Sequence, residues 1–108
     1  MPIPDLDVFQ VIADPSRRQI LHLLTKGSQN INGLSENFDM SRPAVSKHIK
    51  ILETAGFVTI RESGRERFCE LNHQGFDDLK KWISYFDRFW NNKLNNLENV
   101  MNKKRKAN

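Results

Sequence analysis

The stretch SRPAVSKHIKILETAGF, Ser41 to Phe57, constrains the chain more than any other. Stepped at about 100° per residue, it gathers Ala44, Val45, Ile49, Ile51, Leu52 and Ala55 on one broad side, with His48 among them. The opposite side carries Pro43, Ser46, Lys47, Lys50 and Thr54, with Arg42 at its flank in the first turn, and Glu53 is the only acid. Solvated helix faces usually mix both signs. This segment is therefore read as a helix, Arg42 to Ala55, that packs one side and turns a cationic side outward. Ser41 suits the N-cap, Pro43 belongs in a first turn where its missing N–H costs nothing, and Gly56 ends the run.

The flanking segments are short and well punctuated. Asp5 to Ile12 is predicted to be a small amphipathic helix with Leu6 and Phe9 turned inward. Asp14-Pro15 starts a second helix, Pro15 to Lys26, which buries Ile20, Leu21, Leu23 and Leu24 and closes at Gly27. Asn30 or Asn32 opens a third around Ile31, Leu34 and Phe38, and Asp39-Met40 makes a tight connection to Ser41. Phe57 to Glu62 has strand composition, Ser63-Gly64 supplies a turn, and Arg67 to Leu71 returns. From about Gln74 a long helix runs to about Asn102, and KKRKAN is expected to be disordered.

The expected fold is mainly α with a small β-hairpin: a winged helix-turn-helix with N- and C-terminal dimerisation helices. Residues 1–102 are predicted to form one domain and 103–108 a basic tail. The second helix of such a unit can enter the DNA major groove, which is about 12 Å wide.

Charge supports this. The 108 residues carry a formal +4, and the sequence pI is about 9.5. The surplus lies in the middle, where Arg42, Lys47, Lys50, Arg61, Arg65 and Arg67 face only Glu53, Glu62 and Glu66, and in Lys103-Lys104-Arg105-Lys106. Arg61, Arg65 and Arg67 surround the hairpin turn, where a basic wing can follow the DNA backbone and reach a minor groove.

Three blocks, VFQVIADPSRRQILHLL, SRPAVSKHIKILETAGFV and RESGRERFCELN, resemble the ArsR/SmtB family of bacterial winged-helix repressors. The likeness runs from about Val8 through Asn72. It implies a homodimer that represses transcription at an inverted-repeat operator. It further implies that Ser41, Arg42, Pro43, Ser46, Lys47 and Lys50 face DNA, with Arg65 in the wing. Many such proteins sense metals through a Cys-x-Cys on the helix before the recognition helix, or through Asp and His on the last helix. Here the first of these helices reads INGLSENF without cysteine, and the last has no histidine after His73. No metal site and no cofactor are expected, and no inducer is identified. Cys69 is read as a small packed hydrophobe and His48 as a hydrogen-bonded, partly buried imidazole.

The last helix places Phe76, Leu79, Ile83, Phe86, Trp90, Leu94, Leu97 and Met101 at spacings of three and four, a near-heptad seam widened by Trp82 and Phe89. About 28 residues span roughly 40 Å, more than a small winged domain needs for its own core. An exposed stripe of this size is rarely tolerated on a soluble monomer. Leu79, Trp82, Ile83, Phe86, Phe89, Trp90, Leu94 and Leu97 are therefore predicted to form a dimer interface, with Leu6 and Phe9 joining.

Other classes have less support. A protein-interaction module built on the same fold would usually lose the one-signed face. A metal- or small-molecule-responsive sensor of this fold is the other alternative. No phosphate loop or nucleophile–base arrangement points to an enzyme, and Asp77-Asp78 diverge on a helix. No apolar run approaches the ~20 residues of a membrane span, and MPIPDLDVFQVIADP carries acids where a signal peptide would be positive. A cytoplasmic protein is expected.

Overall fold

The structure, a computed structural model, describes residues 6–106, with side chains through Lys103. Five helices and three strands follow in order: α1 (Val8–Ala13), α2 (Pro15–Leu23), β1 (Gln29–Asn30), α3 (Ile31–Ser35), α4 (Arg42–Thr54), β2 (Val58–Ser63), β3 (Glu66–Leu71) and α5 (His73–Lys106). The chain divides into two units, Met1–Asp78 and Leu79–Asn108, and α5 runs from one into the other.

Capping explains where the first helices start and stop. Asp7 and Gln10 form a reciprocal capping box: Asp7 Oδ1 accepts from the Gln10 amide at 2.8 Å, and Gln10 Oε1 accepts from the Asp7 amide at 2.9 Å. The expected start at Asp5 lies outside the described residues. Asp14 Oδ1 accepts from the amides of Ser16 and Arg17, with Pro15 in the first turn. Between these helices, the four orphan carbonyls of α1 are met by two arginines. Arg17 donates to Val11 O at 2.6 Å and Gln10 O at 3.3 Å, and Arg18 donates to Ile12 O at 2.7 Å and Ala13 O at 2.9 Å.

Several expected boundaries move. The second helix stops at Leu23 and tightens into a 3₁₀ turn, Leu24–Lys26, ahead of Gly27. The third is capped by Asn30 and ends at Ser35, before Phe38. The Asn37 amide donates to Gly33 O and Leu34 O, diverting the carbonyls that would continue the helix. The connection to α4 is therefore the longer stretch 36–41.

The sheet has three strands, not two. Gln29–Asn30 pairs antiparallel with β3, giving the order β1-β3-β2. Two polar residues carry no strand pattern, so this addition is set by tertiary pairing with Cys69 and Phe68. The hairpin turn is Gly64-Arg65, one residue later than Ser63-Gly64, because Ser63 pairs with Glu66. At the far end, α5 continues through Lys106, past the expected end near Asn102, and residues 107–108 of the expected basic tail lie outside the described residues. Lysine and arginine are good helix formers, and cations suit a helix C-terminus.

Val11, Ile20, Leu24, Leu34, Val45, Ile49, Leu52, Phe57, Val58 and Cys69 are fully buried in the first unit. Helix α4 hands over to the sheet through a Schellman motif. Gly56, at φ 84°, donates to Glu53 O at 3.0 Å, and Phe57 donates to Leu52 O at 2.9 Å. The first turn of α5 then closes over Phe57. Phe76 meets its ring edge-on at 5.0 Å, and Gly75 donates to Gly56 O at 2.9 Å. A Cβ on Gly75 would lie 2.8 Å from the Phe57 ring. Gly75→Ala is expected to destabilise the protein by about 1–3 kcal/mol through overpacking, read as a lower urea midpoint with an unchanged slope.

Candidate nucleic-acid interface

Ser41 caps α4, its Oγ accepting from the Ala44 amide at 3.3 Å. From that start the helix buries Val45, Ile49, Ile51 and Leu52 and leaves Arg42, Pro43, Ser46, Lys47 and Lys50 exposed, together with Ser41 itself. The cationic face read from the sequence is thus the outward face. Its one internal brake is Glu53, whose Oε1 holds Lys50 Nζ at 2.7 Å.

The hairpin faces this helix on one side only. Register pairs Glu62 with Arg67, Ile60 with Cys69 and Val58 with Leu71, while Arg61 pairs with Phe68. Arg67 and Arg61 therefore point to opposite faces. Arg61 lies 5.8 Å from the Phe68 ring centroid in a cation–π contact. Arg67 turns toward α4 and lines a cleft of about 420 Å³ with Ile31, Pro43, Ser46, Lys47, Ile49, Lys50 and Ile60. Arg65, in the turn, lines a smaller notch beside it. Structure thus gathers Pro43, Ser46, Lys47, Lys50, Arg65 and Arg67 around one groove, keeps Ser41 and Arg42 at the start of the helix, and sets Arg61 on the far side of the hairpin. Asn30 and Asn32 also border the notch. In sequence both carry only the signal of a helix cap, and no local pattern distinguishes a cap from a cap that also lines a cleft.

The sequence and the fold match known proteins. Residues 14–59 match the model of the bacterial regulatory proteins of the arsR family. The transcriptional repressor SdpR of Bacillus subtilis (strain 168) is 34% identical over 80 residues, covering 74% of this chain and 89% of SdpR. The chain belongs to the ArsR family. Its members are transcriptional regulators rather than enzymes, and this ArsR-family chain is a winged helix-turn-helix DNA-binding regulator. The crystal structure of a possible transcriptional regulator for arsenical resistance superposes with a TM-score of 0.68 at 44% identity, over 79% of this chain and 85% of that one. The homodimeric winged helix-turn-helix DNA-binding domain of a possible ArsR-family regulator from Mycobacterium bovis shares the fold, with a TM-score of 0.58 at 20% identity over 78% of this chain and 75% of its own. Among the described residues no helix is long and apolar enough to cross a membrane.

Cys69, His73 and His22 occupy three different settings. Cys69 is completely buried on β3, as a packed hydrophobe should be. Burial, reinforced by Glu53 and Glu70, pushes its thiol up to about 12. His73 pairs with Asp77 at 2.9 Å, and His22 is exposed on α2.

His48 is half-buried at the back of α4, as expected, and its Nδ1 accepts from the Arg17 guanidinium at 3.3 Å. The ring proton then resides on Nε2. Burial lowers the imidazole below its ordinary value; Asp14 opposes this, while Arg17 and Lys47 reinforce it. Burial would raise the Asp14 carboxyl, yet hydrogen bonds from Arg17 and Ser16 and the charges of His48 and Arg17 hold it below the usual range. The folded state therefore disfavours protonation of His48 relative to the unfolded chain. The resulting stability is full above the unfolded value near 6.5 and falls as pH drops toward the depressed folded value. Urea midpoints measured between about pH 7.5 and 5.5 should fall with pH, and His48→Gln, which keeps an acceptor for Arg17 without titrating, should flatten that decline.

Proposed function

We propose that the protein is a homodimeric repressor that lays α4 in the major groove of an inverted-repeat operator and its hairpin along the flanking backbone. The observation that carries this reading is the exposed start of α4, free of acid up to Glu53, sharing one groove with Arg67 of the wing. Ser41, Pro43 and Ser46 set the docking angle and touch backbone or base edges. Arg42 and Lys47 read guanine, while Lys50, Arg65 and Arg67 bind phosphate or a minor groove. On the outer face, Arg61 contacts DNA only where the duplex wraps past the hairpin. Repression is steric, by competition with polymerase, and takes place in the cytoplasm without any catalytic step.

Pairing is supported by the part of α5 that follows Asp78. Trp82, Ile83, Phe86, Phe89, Trp90, Leu94 and Leu97 are all exposed, as are Val100 and Met101, and Trp90 and Leu94 each show more than half of their surface. Leu79 and Leu6 are half-buried and Phe9 is exposed. Covering this stripe with a second copy removes it from water and brings two α4 helices onto one duplex, about 34 Å apart or a multiple of that.

Recovery of bound fragments from a random genomic pool at near-physiological salt should yield an inverted repeat; enrichment of no motif would count against sequence-specific repression. With about four phosphates neutralised per protomer, the slope of log K against log salt should be about −7 for the dimer. Arg42→Ala should cost about 1–3 kcal/mol on the recovered site and much less on random duplex. Trp90→Glu should shift sedimentation toward the monomer and shrink the salt slope by about half.

A further inference from the structure

The smaller notch beside the groove is open to solvent and has a volume of about 120 Å³, room for several water molecules. Its lining is Asn30, Asn32, Ser46, Arg65 and Arg67, together with Ile31. That set comprises two guanidiniums, two amides and a hydroxyl, with no carboxylate. The Asn30 amide is already oriented: its Oδ1 accepts from the Asn32 amide N–H at 2.8 Å, which leaves its NH₂ as a donor. Among the described residues the ion pairs are Lys50–Glu53 and His73–Asp77, so both notch arginines stay outside any ion pair. This holds for Arg67 even though Glu62 is its cross-strand partner on the same face. A donor-rich, acid-free lining with two uncommitted guanidiniums suits a phosphate oxyanion.

We propose that this notch clamps one phosphodiester of the DNA backbone, held by Arg65, Arg67, Ser46 and Asn32, with Asn30 as a further donor. The clamp rests on the DNA-docking reading above and assigns to α3 and β1 a share of the contact surface. It grips the strand that passes between α4 and the hairpin, and so sets the register of one against the other.

The test uses the full chain and a random-sequence duplex, followed by fluorescence anisotropy from about 50 to 200 mM salt. Arg67→Gln should remove one phosphate contact per protomer and make the dimer's slope shallower by about 2. Asn32→Asp places a carboxylate in the notch at a first turn that favours acids, so the melting temperature should hold while duplex affinity falls roughly tenfold. The two losses should be less than additive in the double variant, since both act on one phosphate. If wild type binds with its steep slope and both variants match it, the clamp is wrong and groove docking stands. If wild type fails to bind duplex at all, both readings fall. A calorimetric titration of wild type with inorganic phosphate at constant ionic strength separates the remaining source. Saturable heat that Asn32→Asp abolishes, with duplex affinity intact, would make this a free-anion site and overturn the backbone assignment.

Discussion

One guanidinium holds three elements together. Arg17 is buried, and taking a charged group out of water costs several kcal/mol unless its donors are met. It meets them on the last carbonyls of α1 and on the imidazole of α4, while its own backbone amide closes the cap on Asp14. The same contact therefore ends one helix, starts the next and anchors the back of α4. The cationic front of α4, where Glu53 neutralises Lys50, can be exposed because its rear is over-determined by Val45, Ile49, Leu52 and this polar tie.

Much of that arrangement was legible in the residues. The pattern from Arg42 onward placed α4 to within a residue at its end, since cap, proline, apolar side and terminal glycine all agree. The seam on α5 was equally plain as a spacing of threes and fours; Ile83, Phe86, Trp90, Leu94, Leu97 and Met101 on it are exposed, but so are Trp82, Tyr85, Phe89 and Val100 off it. The role of Arg17 was not legible. In sequence it is one of two adjacent arginines on a leucine-rich helix, and only the tight Ala13–Pro15 junction brings the α1 carbonyls within its reach. β1 was hidden for a similar reason: a two-residue polar strand exists only because β3 offers it an edge. In the wing, the residues around the turn were identified, but the ladder decides which of them look toward α4. Arg67 shares a face with Ile60 and the buried Cys69, whereas Arg61 stacks on Phe68.

The two units obey different rules. In the first, a core of aliphatic side chains closes around Phe57, and among its described residues Phe9, Leu71 and Phe76 are the large apolar side chains left exposed. In the second, aromatic rings meet one another along a single helix, Trp82 with Phe86 at 4.8 Å and Phe89 with Trp90 at 5.5 Å, and Lys93 lies 4.9 Å from the Phe89 ring. Such local ring contacts narrow the rotamers of the stripe before any partner arrives, which lowers the ordering cost of association.

The sealed thiol on β3 gives the molecule a built-in clock. Cys69 is the sole cysteine in the sequence, and with its proton held to about 12 it offers almost no thiolate at neutral pH. Alkylating reagents can reach it only when the three-stranded sheet parts, so the rate of labelling reports how often the wing breathes.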